Sequence, residues 1–217
     1  MAELESLATA EDLEKHIVRH SIDRLVMLSD GVFAIAITLA ALEIRVPSAP
    51  TLAAVVAEMG VGLVAYLVSF VVIAVFWTGG HRDLFARLRH VDRPLSALVV
   101  ATLGLIALIP VSVRIATPSG ESLGGAFRFY AAVMLASGLT NCLQWAYAGW
   151  RDGLMSAEVG PGYRRRRVVE TATLPLVFAL VLVVPTVGML KGVAFLVVAL
   201  LILRRAAFRW VPGLALD

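Results

Sequence analysis

The chain has 217 residues, of which 59% are hydrophobic and only 16% are charged, and its formal net charge is +3. A soluble globular domain carries about a quarter charged residues, so this composition predicts an integral membrane protein. No segment between the apolar runs is long enough for a separately folded soluble domain, and we expect too little soluble surface for nucleic-acid binding. The single cysteine, Cys142, cannot form an intramolecular disulfide and is expected to pack as a small apolar residue.

The chain begins with an acidic and polar segment, residues 1–21, which we expect to be a cytoplasmic leader. It lacks the basic start and apolar core of a cleavable signal peptide, so membrane targeting is expected to come from the first span. Thr9 and Asp12 resemble a capping box, which predicts a short amphipathic helix leading into that span. A solvated leader is the alternative.

Six apolar segments follow the leader, and each is predicted to be a transmembrane helix. The first four are predicted at residues 22–45, 52–78, 94–114 and 126–149. Aromatic residues at the end of the fourth are expected to form a belt at the membrane interface: Trp145, Tyr147 and Trp150. Residues 172–203 carry only one charge, Lys191, and the breakers from Pro185 to Gly192 predict a hairpin that divides this run into two short spans.

The basic residues test this topology, because cytoplasmic loops of membrane proteins are enriched in Lys and Arg. With the N-terminus inside, 15 of the 19 basic residues fall on the cytoplasmic side, among them Arg164–Arg167 in a predicted polar loop, 151–167. The other four lie outside or near the outer face: Arg45, Arg114, Arg128 and Lys191. We therefore expect an all-α protein with six spans in residues 22–209, a tail at 210–217 and both termini in the cytoplasm.

The first span carries a carboxylate, Asp30. Placing a carboxylate at the centre of a span costs about 2.5–3.5 kcal/mol on insertion scales, so Asp30 marks a special position. On a helix, one stripe of this span holds four residues: Gly31, Ile35, Thr38 and Leu42. Asp30 lies on another face, together with Ser29. Ordinary close packing of helices is the alternative explanation of the stripe.

Asp30 needs a partner, because an unpaired buried carboxylate would be costly or would hold a proton. Arg24 lies six residues earlier and off the face of Asp30 on a straight helix. Trp77 and His81, at the cytoplasmic end of the second span, share a face by their spacing and are better placed as donors from another helix. The alternative is that Trp77 is an interface anchor and His81 is solvated.

The segment from Arg24 to Ile44 closely resembles the first-span signature of the endolysosomal potassium-channel family, the transmembrane protein 175 type, in its bacterial branch. That signature is an arginine, three residues and then Phe-Ser-Asp. Here Arg24 is followed by Leu28, Ser29 and Asp30, so leucine replaces the phenylalanine, a departure that affects packing at the cytoplasmic end. The Trp77 and His81 pair also looks like the end of that family's second span.

The resemblance implies a homotetramer of six-span subunits in the bacterial inner membrane, with four copies of the first helix around a central pore. It assigns the pore constriction to Ile35 and Leu42 and an ion-coordinating layer to Thr38. It also assigns the structural polar network that holds the pore helices together to five residues: Arg24, Ser29, Asp30, Trp77 and His81.

A potassium-permeable cation leak channel is therefore the leading prediction, with K+ as the permeant ion, membrane lipid as a partner and no cofactor. The family lacks the TVGYG filter of ordinary potassium channels, and residues 186–189 of this chain are only partly similar to it. A proton-coupled secondary transporter or a proton channel that uses Asp30 is the alternative. An enzyme is not expected, since the four histidines have no metal-ligand spacing and there is one cysteine.

Overall fold

The computed structural model describes residues 2–42, 44, 51–116 and 123–183, and throughout these ranges the regular structure is helical. The long helices are α1 (Ala2–Leu42), α2 (Leu52–Val75), α4 (Arg93–Ala107), α6 (Leu123–Trp150) and α7 (Pro161–Val183). Shorter elements are a π-helical stretch, Phe76–Arg82, the single turn α3 (Asp83–Phe85) and α5 (Ile109–Ala116). We call Phe76–Arg82 the π segment.

Helix α1 is continuous from the leader into the first predicted span. The helix predicted ahead of the span is thus present, and it joins the span without a break. Its part from His20 to Leu42 is long and apolar enough to cross a membrane by length and composition. The stretch Arg93–Ser112 meets the same criterion, and no other helix of the described residues does.

The helix of the second predicted span continues beyond residue 78. Helix α2 passes into the π segment and then into α3, so the helical path extends to Phe85. A π-helix bonds each N–H to the carbonyl five residues earlier, and such single-turn insertions are rare and frequent at functional sites. Trp77 and His81, four residues apart, both lie within this π segment.

The predicted polar loop 151–167 is wrong in its last part, because α7 begins at Pro161 and includes Arg164–Arg167. Proline is well suited to the first turn of a helix, where its missing N–H costs nothing. Arginine is a good helix former, and the ion pairs of Arg166 and Arg167 with Glu170 lie three and four residues apart, within reach on one helix.

The third predicted span is divided into two helices. Asp92 caps the start of α4, since its Oδ1 accepts a hydrogen bond from the Leu95 N–H over 3.0 Å. The helix ends at Ala107, and after Leu108 the short helix α5 begins. Pro110 explains this break, because proline lacks an N–H and clashes with the preceding turn of a continuing helix.

Helix α6 is the centre of the described bundle and packs against α4, α5 and α7. Gly138 allows close approach to α7, since a Cβ there would lie 2.7 Å from the Cδ of Pro175. Helix α1 lies at the side of the bundle and packs one face against α2, α4 and α5. The last part of the 172–203 run, the hairpin predicted between Pro185 and Gly192 and the tail 210–217 lie outside the described residues.

Candidate functional site

The first helix has one packed face and one exposed face. Phe33, Ala36 and Ala40 are buried in the bundle. Ser29 is fully buried on the same side, and its hydroxyl donates to the Leu25 carbonyl over 2.6 Å. This back-bond satisfies the hydroxyl within the helix, so Ser29 serves as a small packing residue at the contact with neighbouring helices.

The opposite face of α1 carries the predicted stripe and is open in the single chain. Ile35 is 58% exposed and Leu42 is 79% exposed, although both are large apolar residues. A Cβ added at Gly31 would meet no atom within 4 Å. Exposed apolar residues continue along the helix: Met27, Leu28 and Leu39. Such a face requires either lipid or another subunit to cover it.

Thr38 is the polar member of that exposed face. Its hydroxyl donates to carbonyl groups of its own helix, at 3.1 Å from the Ala34 oxygen and 2.9 Å from the Ile35 oxygen. Because the hydroxyl proton is used inside the helix, the oxygen lone pairs are left for an acceptor role. The arrangement can therefore contribute an oxygen ligand to a cation on the open side of α1.

Asp30 is connected to the end of the second helix. The indole Nε1 of Trp77 donates to Asp30 Oδ1 over 2.8 Å, across 47 positions of sequence. This length is typical of a hydrogen bond to a charged acceptor. The guanidinium of Arg82 lies 6.0 Å from the centre of the Trp77 ring. The contact thus fastens the first helix to the π segment at a charged position.

His81 occupies a different position from Trp77. It is 5% exposed and lies between two phenylalanine rings, 5.5 Å from the centre of Phe33 and 4.4 Å from that of Phe85. Within the described part of the chain, its Nε2 has no hydrogen-bond partner. Arg24 is exposed on α1. The hydrogen bond to Asp30 therefore comes from Trp77, and His81 contributes ring packing.

Side chains of α6 and α7 also form hydrogen bonds to the π segment. Trp145 is completely buried, and its Nε1 donates to the Gly80 carbonyl over 3.1 Å. Arg167 of α7 donates from Nη2 to the Gly79 carbonyl. The predicted interface belt is therefore wrong for Trp145, whereas Trp150 is exposed. Sequence reasoning missed both contacts, because neither donor is near the π segment in sequence.

Charged groups surround Arg167 in the first part of α7. Its Nε lies 2.9 Å from Asp83 Oδ2, and its Nη1 donates to Glu170 Oε2 over 2.5 Å. Burial by itself would lower the pKa of Arg167, but the two carboxylates raise it above its ordinary value. Tyr163 donates to Asp83 over 2.8 Å, and burial together with this bond raises the pKa of Tyr163 to about 12. Arg167 is therefore permanently charged and paired.

A second polar contact lies beside the start of α4. The Tyr147 hydroxyl donates to Asp92 Oδ2 over 2.6 Å. Tyr147, which is part of the predicted belt, therefore also makes a hydrogen bond within the bundle. Partial burial opposes the ionisation of Asp92. The bonds from Tyr147 and the Leu95 N–H nevertheless hold the pKa of Asp92 below its ordinary value. Among the described residues, no group of three His, Cys, Asp or Glu could hold a metal ion.

Comparison with known proteins shows that part of this chain is similar to potassium channels. The family model described as the endosomal/lysosomal potassium channel TMEM175 matches residues 24–110. A protein of Streptomyces collinus named as a potassium channel is 40% identical over 90 residues, which are 40% of this chain. The match spans 43% of that relative's length. The resemblance predicted from the first span is confirmed.

The fold also has a solved counterpart. A crystal structure described as a lysosomal potassium-selective channel TMEM175 homolog from Chamaesiphon minutus superimposes with a TM-score of 0.73 and covers 87% of this chain and 98% of that chain. The two are 21% identical, so the likeness is one of fold. The relatives are named as channels, in agreement with the expectation that the chain is not an enzyme.

Proposed function

We propose that this chain forms a potassium-permeable cation leak channel. The proposal is supported by the resemblance of residues 24–110 to the TMEM175 potassium channels. The proposed assembly is a homotetramer in the bacterial inner membrane, with six spans per subunit, cytoplasmic termini and the first helix around a central pore. The proposal rests on one observation. One side of α1 packs against the bundle, while the side with Ile35, Thr38 and Leu42 is open.

The exposed stripe suits a pore because its residues combine an apolar constriction with a hydroxyl layer. Four copies of Ile35 on an axis would form a dry neck, which impedes ions by dewetting. Leu42 would form a second apolar ring further along the same face. Thr38 lies between them, and its oxygen lone pairs are left for a cation because its proton bonds the helix backbone. Passage then requires only partial replacement of the ion's water shell.

The polar network has a separate role in this proposal. Asp30 is bonded to Trp77 and does not lie on the stripe, so it supports the pore helix and does not line the ion path. Ser29 and His81 contribute buried packing on the same side of the helix. Arg24 is the proposed contact to neighbouring subunits, since it is exposed in the single chain.

The test is a potassium flux measurement in liposomes with Ile35→Asn. A polar side chain is expected to wet the neck and raise the potassium conductance. Val100→Asn is the matched control, because Val100 is also an exposed apolar residue but lies on α4. Unchanged current in Ile35→Asn would remove this residue from the pore. Saturable flux strictly coupled to a counter-ion would contradict a channel and favour the transporter alternative with Asp30.

A further inference from the structure

Two consecutive carbonyl groups of the π segment accept hydrogen bonds from side chains of other helices. The Gly79 carbonyl accepts from Arg167 on α7, and the Gly80 carbonyl accepts from Trp145 on α6. Both acceptors follow Trp77 by only two or three residues. The backbone beside the Trp77 contact is therefore held by donors that lie 65 and 88 positions away in the sequence.

The two donor side chains, Arg167 and Trp145, also contact each other. The guanidinium of Arg167 lies 4.7 Å from the centre of the Trp145 ring, within the range of a cation–π contact. Its remaining nitrogen atoms face Asp83 and Glu170. A planar guanidinium uses its several N–H groups in a fixed geometry, so these contacts determine the orientation of the group that reaches Gly79. We call Arg167 and Trp145 the clamp.

Two glycines of the π segment, Gly79 and Gly80, leave room for the clamp and for α6. A Cβ at position 80 would lie 2.6 Å from the Asn141 Oδ1, so any side chain there would require Asn141 of α6 to move. A Cβ at position 79 would lie 3.9 Å from Arg167 Nη2, which is ordinary contact. The close contact at Gly80 and the two carbonyl bonds leave the segment little room to shift along α6.

We infer that Arg167 is a positioning residue for the first helix. By holding the Gly79 carbonyl it orients Trp77 toward Asp30, and the Trp77 bond in turn keeps α1 in its place against the bundle. Arg167 thus acts on the open face of α1 without touching it. The part of this inference that concerns ion flux rests on the proposed function, whereas the orientation of Trp77 does not.

Fluorine NMR of the full chain in lipid nanodiscs tests the orientation. The four tryptophans are labelled as 5-fluorotryptophan, and Trp77→Phe assigns the Trp77 signal. Asp30→Ala, which removes the acceptor, defines the signal of an unbonded Trp77. Arg167→Gln is expected to move the Trp77 signal toward that position. Arg165→Gln is the matched control and is expected to leave it in place, since Arg165 is exposed on the same helix.

A second variant keeps the test valid if Arg167→Gln fails to fold. Arg167→Lys retains the positive charge beside Asp83, but a lysine ammonium cannot reproduce the geometry of the guanidinium fork. We expect the Trp77 signal to move in this variant as well. An unmoved Trp77 signal in either folded variant would overturn the inference, because Arg167 would then contribute only charge or bulk to the bundle.

A flux cycle tests the functional consequence. Potassium flux is measured for Arg167→Gln, Trp77→Phe and the double variant. If Arg167 acts through Trp77, the double variant has the same flux as Trp77→Phe alone; two independent effects would multiply and would overturn the inference. A wild-type chain without potassium flux would contradict the proposed channel, and the fluorine measurement would still decide the orientation of Trp77.

Discussion

The bond from Trp77 to Asp30 is the contact whose energy can be predicted most directly. Trp77→Phe removes the indole donor and keeps an aromatic ring at the position. A hydrogen bond to a charged group contributes roughly 1.5–3 kcal/mol, and the distance of 2.8 Å is typical of that class. Asp30 is exposed in the single chain, so water can replace the donor in part, and we expect a value near the lower limit, about 1.5 kcal/mol.

A double-mutant cycle separates this bond from the change in ring size. The free energy of unfolding is measured in detergent for Trp77→Phe, Asp30→Ala and the double variant, and the coupling energy is the deviation from additivity. Trp150→Phe is the control, because Trp150 is exposed and its change is expected to stay within about 0.5 kcal/mol. A coupling energy near zero would refute the assignment of Trp77 as the partner of Asp30.

Three further variants test the packing and capping of the bundle. Asp92→Ala removes the cap of α4 and is expected to cost about 1 kcal/mol of unfolding free energy in chemical denaturation. Since the pKa of Asp92 is lowered in the folded chain, its ionised form stabilises the fold above its ordinary pKa of 3.8, and this contribution is lost as the pH falls through the lower folded-state value. Gly138→Ala is expected to cost about 1–3 kcal/mol, because the added methyl group would meet Pro175. Gly104→Ala is expected to be neutral or stabilising by up to about 1 kcal/mol, since a Cβ there meets nothing within 4 Å and alanine is the better helix former.

Each of these predictions has an opposing result. If Asp92→Ala and the wild type have the same dependence of stability on pH between 5 and 2, measured by thermal unfolding, the ionised Asp92 does not stabilise the fold in the expected window. Equal stabilities of the Gly138→Ala and Gly104→Ala variants would show that α6 and α7 do not pack closely at Pro175.

The long first helix illustrates what local pattern can predict. A run of apolar residues with helical spacing determines a helix regardless of its neighbours, because its backbone bonds are internal to the segment. The same spacing places Ile35, Thr38 and Leu42 on one side and Asp30 on another. The structure shows these residues on a helix with an open side, and the role of that side as an ion path stays a prediction.

The contacts that hold the site could not be predicted in the same way. Aromatic residues near a span end usually lie at an interface, which is what the sequence predicts for Trp145, yet Trp145 is buried against Gly80. The sequence predicts a loop at Arg167, yet Arg167 reaches the Gly79 carbonyl from a helix. Both roles depend on pairs far apart in sequence, and neither residue carries a local pattern that identifies its partner.

Hydropathy and helical periodicity are properties of a single segment, so they predict the class of protein, the helical character of its apolar segments and the two faces of the first helix. The folded structure adds that the helix of the second predicted span passes into a π-helix and that Trp77, not His81, bonds Asp30. It also shows that Arg167 holds the same segment. These features arise from the packing of separate helices, and the energy of a hydrogen bond between helices depends on geometry that no single segment contains.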